Sequence, residues 1–147
     1  MPKLTKILYV EDNLAEVNLL QQAFEEGNIP GALSVVHNGE DALKYLNKED
    51  EFLKAQRPDI ILLDLNLPKK NGFEVLSSVK ANPRLRSIPV FIFTGSESRD
   101  DINKAYQLHV NGYIRKPNSF SEYVSFLTRL IDFWGHSIIL PEQYIQK

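Results

Sequence analysis

The chain has no cysteine among its 147 residues. That excludes disulfides and thiolate chemistry and fits a reducing compartment. No stretch approaches the roughly 18 consecutive apolar residues that a membrane-spanning helix needs. Met1-Pro2-Lys3 is not followed by the apolar core of a signal peptide, so a cytoplasmic protein is expected. Neither sign of charge dominates. Lys and Arg number 17 against 19 Asp and Glu, a formal net charge of −2, so there is no broad basic field for a nucleic acid or an anionic membrane. There is no glycine-rich phosphate loop. Gly95-Ser96 lacks the preceding Gly-x of a nucleophile elbow, and His37, His109 and His136 lack ligand spacing and are given no metal role. What remains is an ordinary composition, 43% apolar and 24% charged, at a length suited to one domain.

The most informative feature is Asp64. The apolar run Ile60-Ile61-Leu62-Leu63 delivers this acid and then passes into Leu65-Asn66-Leu67-Pro68. Such a run reads as a strand buried on both faces, with a carboxylate at its exposed tip. Lys6-Ile7-Leu8-Tyr9-Val10 leads into Glu11-Asp12 in the same way. Acids from distant parts of the chain are thereby expected to crowd together. A cluster of that kind repels itself unless a cation or a proton relieves it.

Strands and helices alternate along the rest of the chain. Asn13 precedes Leu14, Val17, Leu20, Ala23 and Phe24 at helical spacing, with Glu16 three residues on as a capping partner and Gly27-Asn28 as the stop. Leu33-Ser34-Val35-Val36 reads as a strand, and Asn38 caps a helix carrying Ala42, Leu43 and Leu46. The charged segment 47–56 reads as a helix end or loop, stopped by Arg57-Pro58. Asn71 and Glu74 frame a helix with Phe73, Val75, Leu76 and Val79. Val90-Phe91-Ile92-Phe93 is a strand finishing at Thr94-Gly95. Residues 100–108 form a helix, Tyr113-Ile114 a short strand ending at Lys116-Pro117, and Ser119 with Glu122 caps a last helix reaching about Trp134. Five strands alternating with five helices imply an α/β fold, a parallel sheet with helices on both faces. In such a fold the ligand site lies outside the carboxyl ends of the strands. Glu11, Asp12, Asp64, Thr94 and Lys116 all belong to that edge.

The chemistry follows from the residue types. Asp12, Glu11 and Asp64 offer only hard oxygen ligands, which suit Mg²⁺ or Mn²⁺ rather than zinc. Lys116 supplies a compact positive charge opposite, Thr94 a hydroxyl donor, and Gly95 leaves room beside it. A carboxylate held between a divalent ion and an ammonium is suited to accept a phosphoryl group as an aspartyl-phosphate.

These residues together resemble the receiver domain of two-component response regulators over roughly residues 5–134. The matching set is Glu11-Asp12, Asp64 with Pro68 and Gly72 after it, Thr94-Gly95 and Lys116-Pro117. The resemblance implies a flavodoxin-like, doubly wound fold and an acceptor at Asp64, supplied by a sensor histidine kinase or a phosphotransfer protein. It implies Mg²⁺ bound by Asp12 and Asp64, by Glu11 through water and by the backbone carbonyl of Asn66. Lys116 would contact a phosphoryl oxygen and its bond to Pro117 would be cis. Thr94 would move toward the phosphate, coupled to Tyr113, while Asn66 and Ser96 would tune phosphate lifetime. Residues 108–113, Phe133-Trp134 and the segment 138–141 resemble the small regulators paired with bacterial and cyanobacterial phytochromes.

The last helix carries more apolar surface than one stripe needs. Phe126 and Phe133, seven apart, are expected on a second face. An apolar tail of Ile138, Ile139, Leu140, Tyr144 and Ile145 follows, within an extension 135–147 that either packs in a homodimer or folds back on its own domain. No second domain is expected after residue 134, so the output is a partner interaction or a phosphorelay step rather than enzymatic turnover. A hydrolase using an aspartyl-phosphate would need an acid two residues after the nucleophile, where this chain has Asn66. A pseudo-receiver interaction module would lack a member of the acid, Thr or Lys set.

Overall fold

The computed structural model describes residues 5–141. The elements run β1 Lys6–Val10, α1 Leu14–Glu26, β2 Ala32–Val36, α2 Gly39–Asn47, a 3₁₀ turn Asp50–Phe52, β3 Ile60–Leu63, α3 Gly72–Ala81, β4 Val90–Thr94, α4 Arg99–Gln107, β5 Gly112–Arg115 and α5 Phe120–His136. All strand pairs are parallel, in the order β2-β1-β3-β4-β5. That is the flavodoxin-like order the resemblance implies, and it reverses direction beside β1. The carboxyl ends of β1 and β3 therefore flank the switch point, and those are the strands that carry the acids.

Alternation along the strands sorts the apolar residues into two cores. Leu8, Val10, Ile61, Leu63, Val90 and Ile92 face α2, α3 and α4. Ile7, Tyr9, Ile60, Leu62 and Phe93 face α1 and α5. β1 and β3 are almost wholly buried because both of their faces are covered. Asn71 and Glu74 form a full capping box at α3. Among the described residues no helix is long and apolar enough to cross a membrane.

The second core closes around Phe93, which takes Tyr9 edge-on at 5.9 Å and Tyr123 edge-on at 6.1 Å. Phe126 completes the set, its ring stacked on Phe93 at 5.2 Å. This corrects the expectation that Phe126 shares an unused face with Phe133. α5 is rotated so that Phe126 sits at the edge of its own core, half-buried, while Phe133 stays 54% exposed. Trp134 packs edge-on against Phe91 at 5.3 Å.

The tail divides in the same way. Ile139 is 96% exposed, while Ile138 and Leu140 are half-buried. Leu140 and Pro141 line a small cleft with Arg57, Pro58, Asp59, Ser87, Ile88 and Pro89, just before β3 and β4. The tail thus returns to its own sheet at the amino edge. Tyr144 and Ile145 lie outside the described residues. The charged segment 47–56 belongs to that edge too, because α2 runs back from the carboxyl edge. Its ordering contacts are local, with Lys44 3.4 Å from Asp50 and the Tyr45 and Phe52 rings 5.6 Å apart.

One junction ties α2 to the loop after Asp64. The Gly39 N–H donates to the Pro68 carbonyl at 3.3 Å and the Glu40 N–H to the Lys69 carbonyl at 2.8 Å. Two otherwise unsatisfied donors of the helix start are thereby used. The approach is so close that a Cβ at Gly39 would lie 2.0 Å from the Lys70 carbonyl oxygen. Gly39→Ala is therefore expected to destabilise the fold by about 1–3 kcal/mol, read as a lower midpoint in urea denaturation. An unchanged midpoint would show that the loop yields without strain.

Candidate functional site

The backbone places the acids before any side chain is considered. The Glu11 N–H donates to the Val36 carbonyl at 3.0 Å and the Asp64 N–H to the Val10 carbonyl at 3.1 Å. Both residues are thus one further rung of the sheet, and their side chains emerge at its edge. Glu11 is 1% and Asp64 5% exposed; Asp12 is exposed. One carboxylate oxygen from each of Glu11, Asp12 and Asp64 lies within 4.8 Å of the others. From the far side of the sheet comes Lys116, its N–H bonded to the Thr94 carbonyl at 2.8 Å. Its Nζ is 2.6 Å from Glu11 Oε1, 2.6 Å from Glu16 Oε2 and 3.7 Å from Asp64 Oδ1.

The electrostatics are unbalanced. Four carboxylates face one ammonium, so three negative charges stay uncompensated when all are ionised. Burial pushes the Asp64 carboxyl up to about 6; the Lys116 charge opposes this, the Glu11 charge adds to it, and the Leu65 N–H opposes it. For Lys116, burial favours the neutral amine, but the contacts with Glu11 and Glu16 and the Asp64 charge outweigh it, so its pKa is raised and it stays an ammonium. Burial and the Glu11 charge raise Tyr9. Its neutral hydroxyl donates to Glu11 Oε1 at 3.2 Å, while Glu11 Oε2 accepts the Asn13 N–H at 3.3 Å. Burial and the Glu16 charge push Tyr123 up to about 12.

Thr94 is 1% exposed, and its Oγ1 accepts the Ser96 N–H at 3.3 Å. Ser96 is a crossing point. Its carbonyl accepts the Tyr113 hydroxyl at 3.0 Å and its own hydroxyl donates to Asp101 on α4 at 2.8 Å. Tyr113 is half-buried and points into the β4–α4 loop. At Gly95 an added Cβ would meet nothing within 4 Å, so this edge of the site is open. Asn66 is exposed in the loop after β3.

Two features differ from expectation. The Lys116–Pro117 bond is trans, as are the peptide bonds throughout the described residues. Trans is the lower-energy form of an X-Pro bond, and Lys116 already has its backbone and ammonium partners in that form. Glu16 does not complete a capping box. The Asn13 side chain accepts the N–H groups of Ala15 and Glu16, but the Glu16 carboxylate turns to Lys116, a charged partner stronger than a backbone amide. Glu16 and Tyr9 are the site residues that sequence reasoning missed. Glu16 lies one helical turn after Asp12, on the α1 face nearest the sheet edge; that spacing was the available signal. Nothing in the strand pattern distinguished Tyr9 from its apolar neighbours.

An oxygen-only donor set with uncompensated charge is suited to a hard divalent cation, and a lysine opposite it to a second anion. Residues 7–128 match the family model described as the response regulator receiver domain. Response regulator Rcp1 of Synechocystis sp. is 38% identical over 135 residues, 92% of either chain. Its Mn²⁺-bound crystal structure matches with a TM-score of 0.82 over 94% of this chain and 99% of that one. The phosphorylated cyanobacterial phytochrome response regulator RcpA is 42% identical, with a TM-score of 0.86 over 95% of this chain and 100% of the other. The probable methanogenesis regulatory protein FilR2 of Methanothrix harundinacea is 41% identical over 128 residues, 87% of this chain and 82% of that protein.

The raised Asp64 pKa has a testable sign. Because it lies above the unfolded value, this group's stabilising contribution is complete below about pH 4 and is lost as pH rises through about 6. A cation needs the ionised carboxylate and restores what ionisation removes. The rise in Tm on adding Mg²⁺ is therefore expected to be larger at pH 8 than at pH 5 in calorimetry. Equal shifts at both pH values would contradict the assignment.

Proposed function

The chain belongs to the response regulator receiver family and is related to phytochrome response regulators; on that footing we propose that it is a phosphoacceptor switch with Asp64 as the acceptor. The observation that carries this reading is the convergence of Glu11, Asp12 and Asp64 within 4.8 Å, with the Lys116 ammonium 3.7 Å from Asp64. Membership of this family places the chain among regulators rather than enzymes.

In this reading an ionised Asp64 oxygen attacks the phosphorus of a phosphohistidine on a sensor histidine kinase. The P–O bond forms as the P–N bond breaks, and the electron pair of that bond leaves on the imidazole nitrogen, which takes a proton from solvent. The donor set formed by Glu11, Asp12 and Asp64 fits Mg²⁺ or Mn²⁺, with the Asn66 backbone carbonyl as a further ligand. The ion supplies charge neutralisation at the acceptor. Lys116 balances the remaining phosphoryl charge because its environment keeps it protonated. Thr94 and Tyr113 are the switch pair. Both already bond to Ser96, so movement of Thr94 toward a new phosphoryl oxygen is felt through that residue, and Asn66 and Ser96 tune the lifetime.

The kinase partner in this reading is phytochrome-type, supported by the relation to RcpA over 95% of the chain, and the location is cytoplasmic. A homodimer through α5 and the tail is part of the same proposal, resting on Phe133 at 54% and Ile139 at 96% exposure. Ile138, Leu140 and Phe126 are half-buried, and Phe126 also stacks on Phe93.

Incubation with Mg²⁺ and acetyl phosphate is expected to add one phosphoryl mass per chain, and Asp64→Asn to abolish it. Undiminished labelling of the variant, by intact-mass spectrometry, would discard the acceptor. Phe133→Asp is expected to lower the dimer fraction in sedimentation velocity. A wild-type chain that sediments as a monomer at high micromolar concentration ends the dimer proposal.

A further inference from the structure

Lys116 is the side-chain cation that would meet a phosphoryl group at Asp64 among the described residues, yet its ammonium lies nearer to two glutamates than to Asp64. The distances are 2.6 Å to Glu11, 2.6 Å to Glu16 and 3.7 Å to Asp64. The last is beyond hydrogen-bond reach. The two glutamates hold it differently. Glu11 makes an aligned hydrogen bond and is itself fixed by the Tyr9 hydroxyl and the Asn13 N–H. The Glu16 Oε2 atom is shielded from water and has no aligned hydrogen bond. Lys116 meets it at 2.6 Å but without the alignment of the Glu11 bond. Of the two contacts, the one with Glu16 is the weaker and the one able to yield.

Glu16 also has somewhere to go. Its side chain is 35% exposed overall and lines an open cleft of about 440 Å³ with Gly95, Pro117, Ser119 and Tyr123. A carboxylate released from Lys116 can turn into that cleft and be hydrated, so release does not strand a buried charge. Glu16 is outside the trio whose oxygens converge for a cation.

Resting on the phosphoacceptor reading, we propose that Glu16 is a positioning residue that draws Lys116 away from Asp64 in the resting chain, so that a phosphoryl group must win the lysine from it. Glu16 then acts as a brake. The phosphorylated state is weaker by the free energy of the Glu16–Lys116 contact, and the resting state is steadier by the same contact. The effect runs through Lys116.

Beryllofluoride, a phosphoryl mimic, tests this by calorimetric titration at saturating Mg²⁺. Glu16→Gln is expected to bind it about fivefold more tightly than wild type, the scale of one partly exposed charge contact, with both proteins saturated with Mg²⁺. Glu16→Ala is expected to show the same gain, which guards against a fault peculiar to glutamine. In a Lys116→Met background, adding Glu16→Gln is expected to leave affinity where Lys116→Met alone puts it. Unchanged or weaker binding by both Glu16 variants overturns the proposal. So does an equal gain in the Lys116→Met background, which would mark a general charge effect. Failure of wild type and variants alike to bind the mimic overturns the acceptor reading, and this inference with it.

Discussion

Repulsion between buried carboxylates is the constraint on which the rest of this molecule depends. Two parallel strands, β1 and β3, are paired so that Glu11 and Asp64 are delivered side by side as extra rungs of the sheet. The pairing cannot relax to separate them without losing buried ladder hydrogen bonds and the two cores that sandwich those strands. Like charges held together by force seek a counter-charge. In the resting chain the relief comes from the ammonium of Lys116, and burial of the crowded Asp64 carboxyl raises its pKa. Everything else at this edge is arranged around that shortage of positive charge. Tyr9 stays neutral and donates to Glu11, and Asn13 gives its amide.

The same shortage explains which parts were legible in the sequence. β1 and β3 could be read because a strand buried on both faces has to be an unbroken apolar run, so the acid ending it stands out. Thr94 and Lys116 were legible by position, once alternation had assigned their strands to the same edge. Glu16 was misread because a local rule was sufficient to explain it. An acid three residues after Asn13 looks complete as a cap, and only the folded edge reveals a charged partner a hundred residues away. Phe126 failed for a related reason. Its spacing from Phe133 is right for one helix face, but which face that is depends on how α5 is rotated against Phe93. The isomer at Pro117 was carried over from the resemblance and does not follow from the residues.

A second dependency links the site to the helices beyond it. Ser96 is held from three directions, by Thr94 through its amide, by Tyr113 through its carbonyl and by Asp101 through its hydroxyl. Through Ser96, β4 is joined to β5 by Tyr113 and to α4 by Asp101. Each of these atoms lies within hydrogen-bond distance of the next.

The placement of the short 3₁₀ turn Asp50–Phe52 at the amino edge carries a practical consequence. α2 crosses the full height of the sheet before the chain reaches that turn, and its start is clipped to the loop after Asp64. Lengthening or shortening the turn alters loop closure by only a small entropic increment and leaves that clip untouched. A fluorescent reporter or an affinity handle grafted between α2 and β3 would therefore ride on the molecule without entering its chemistry.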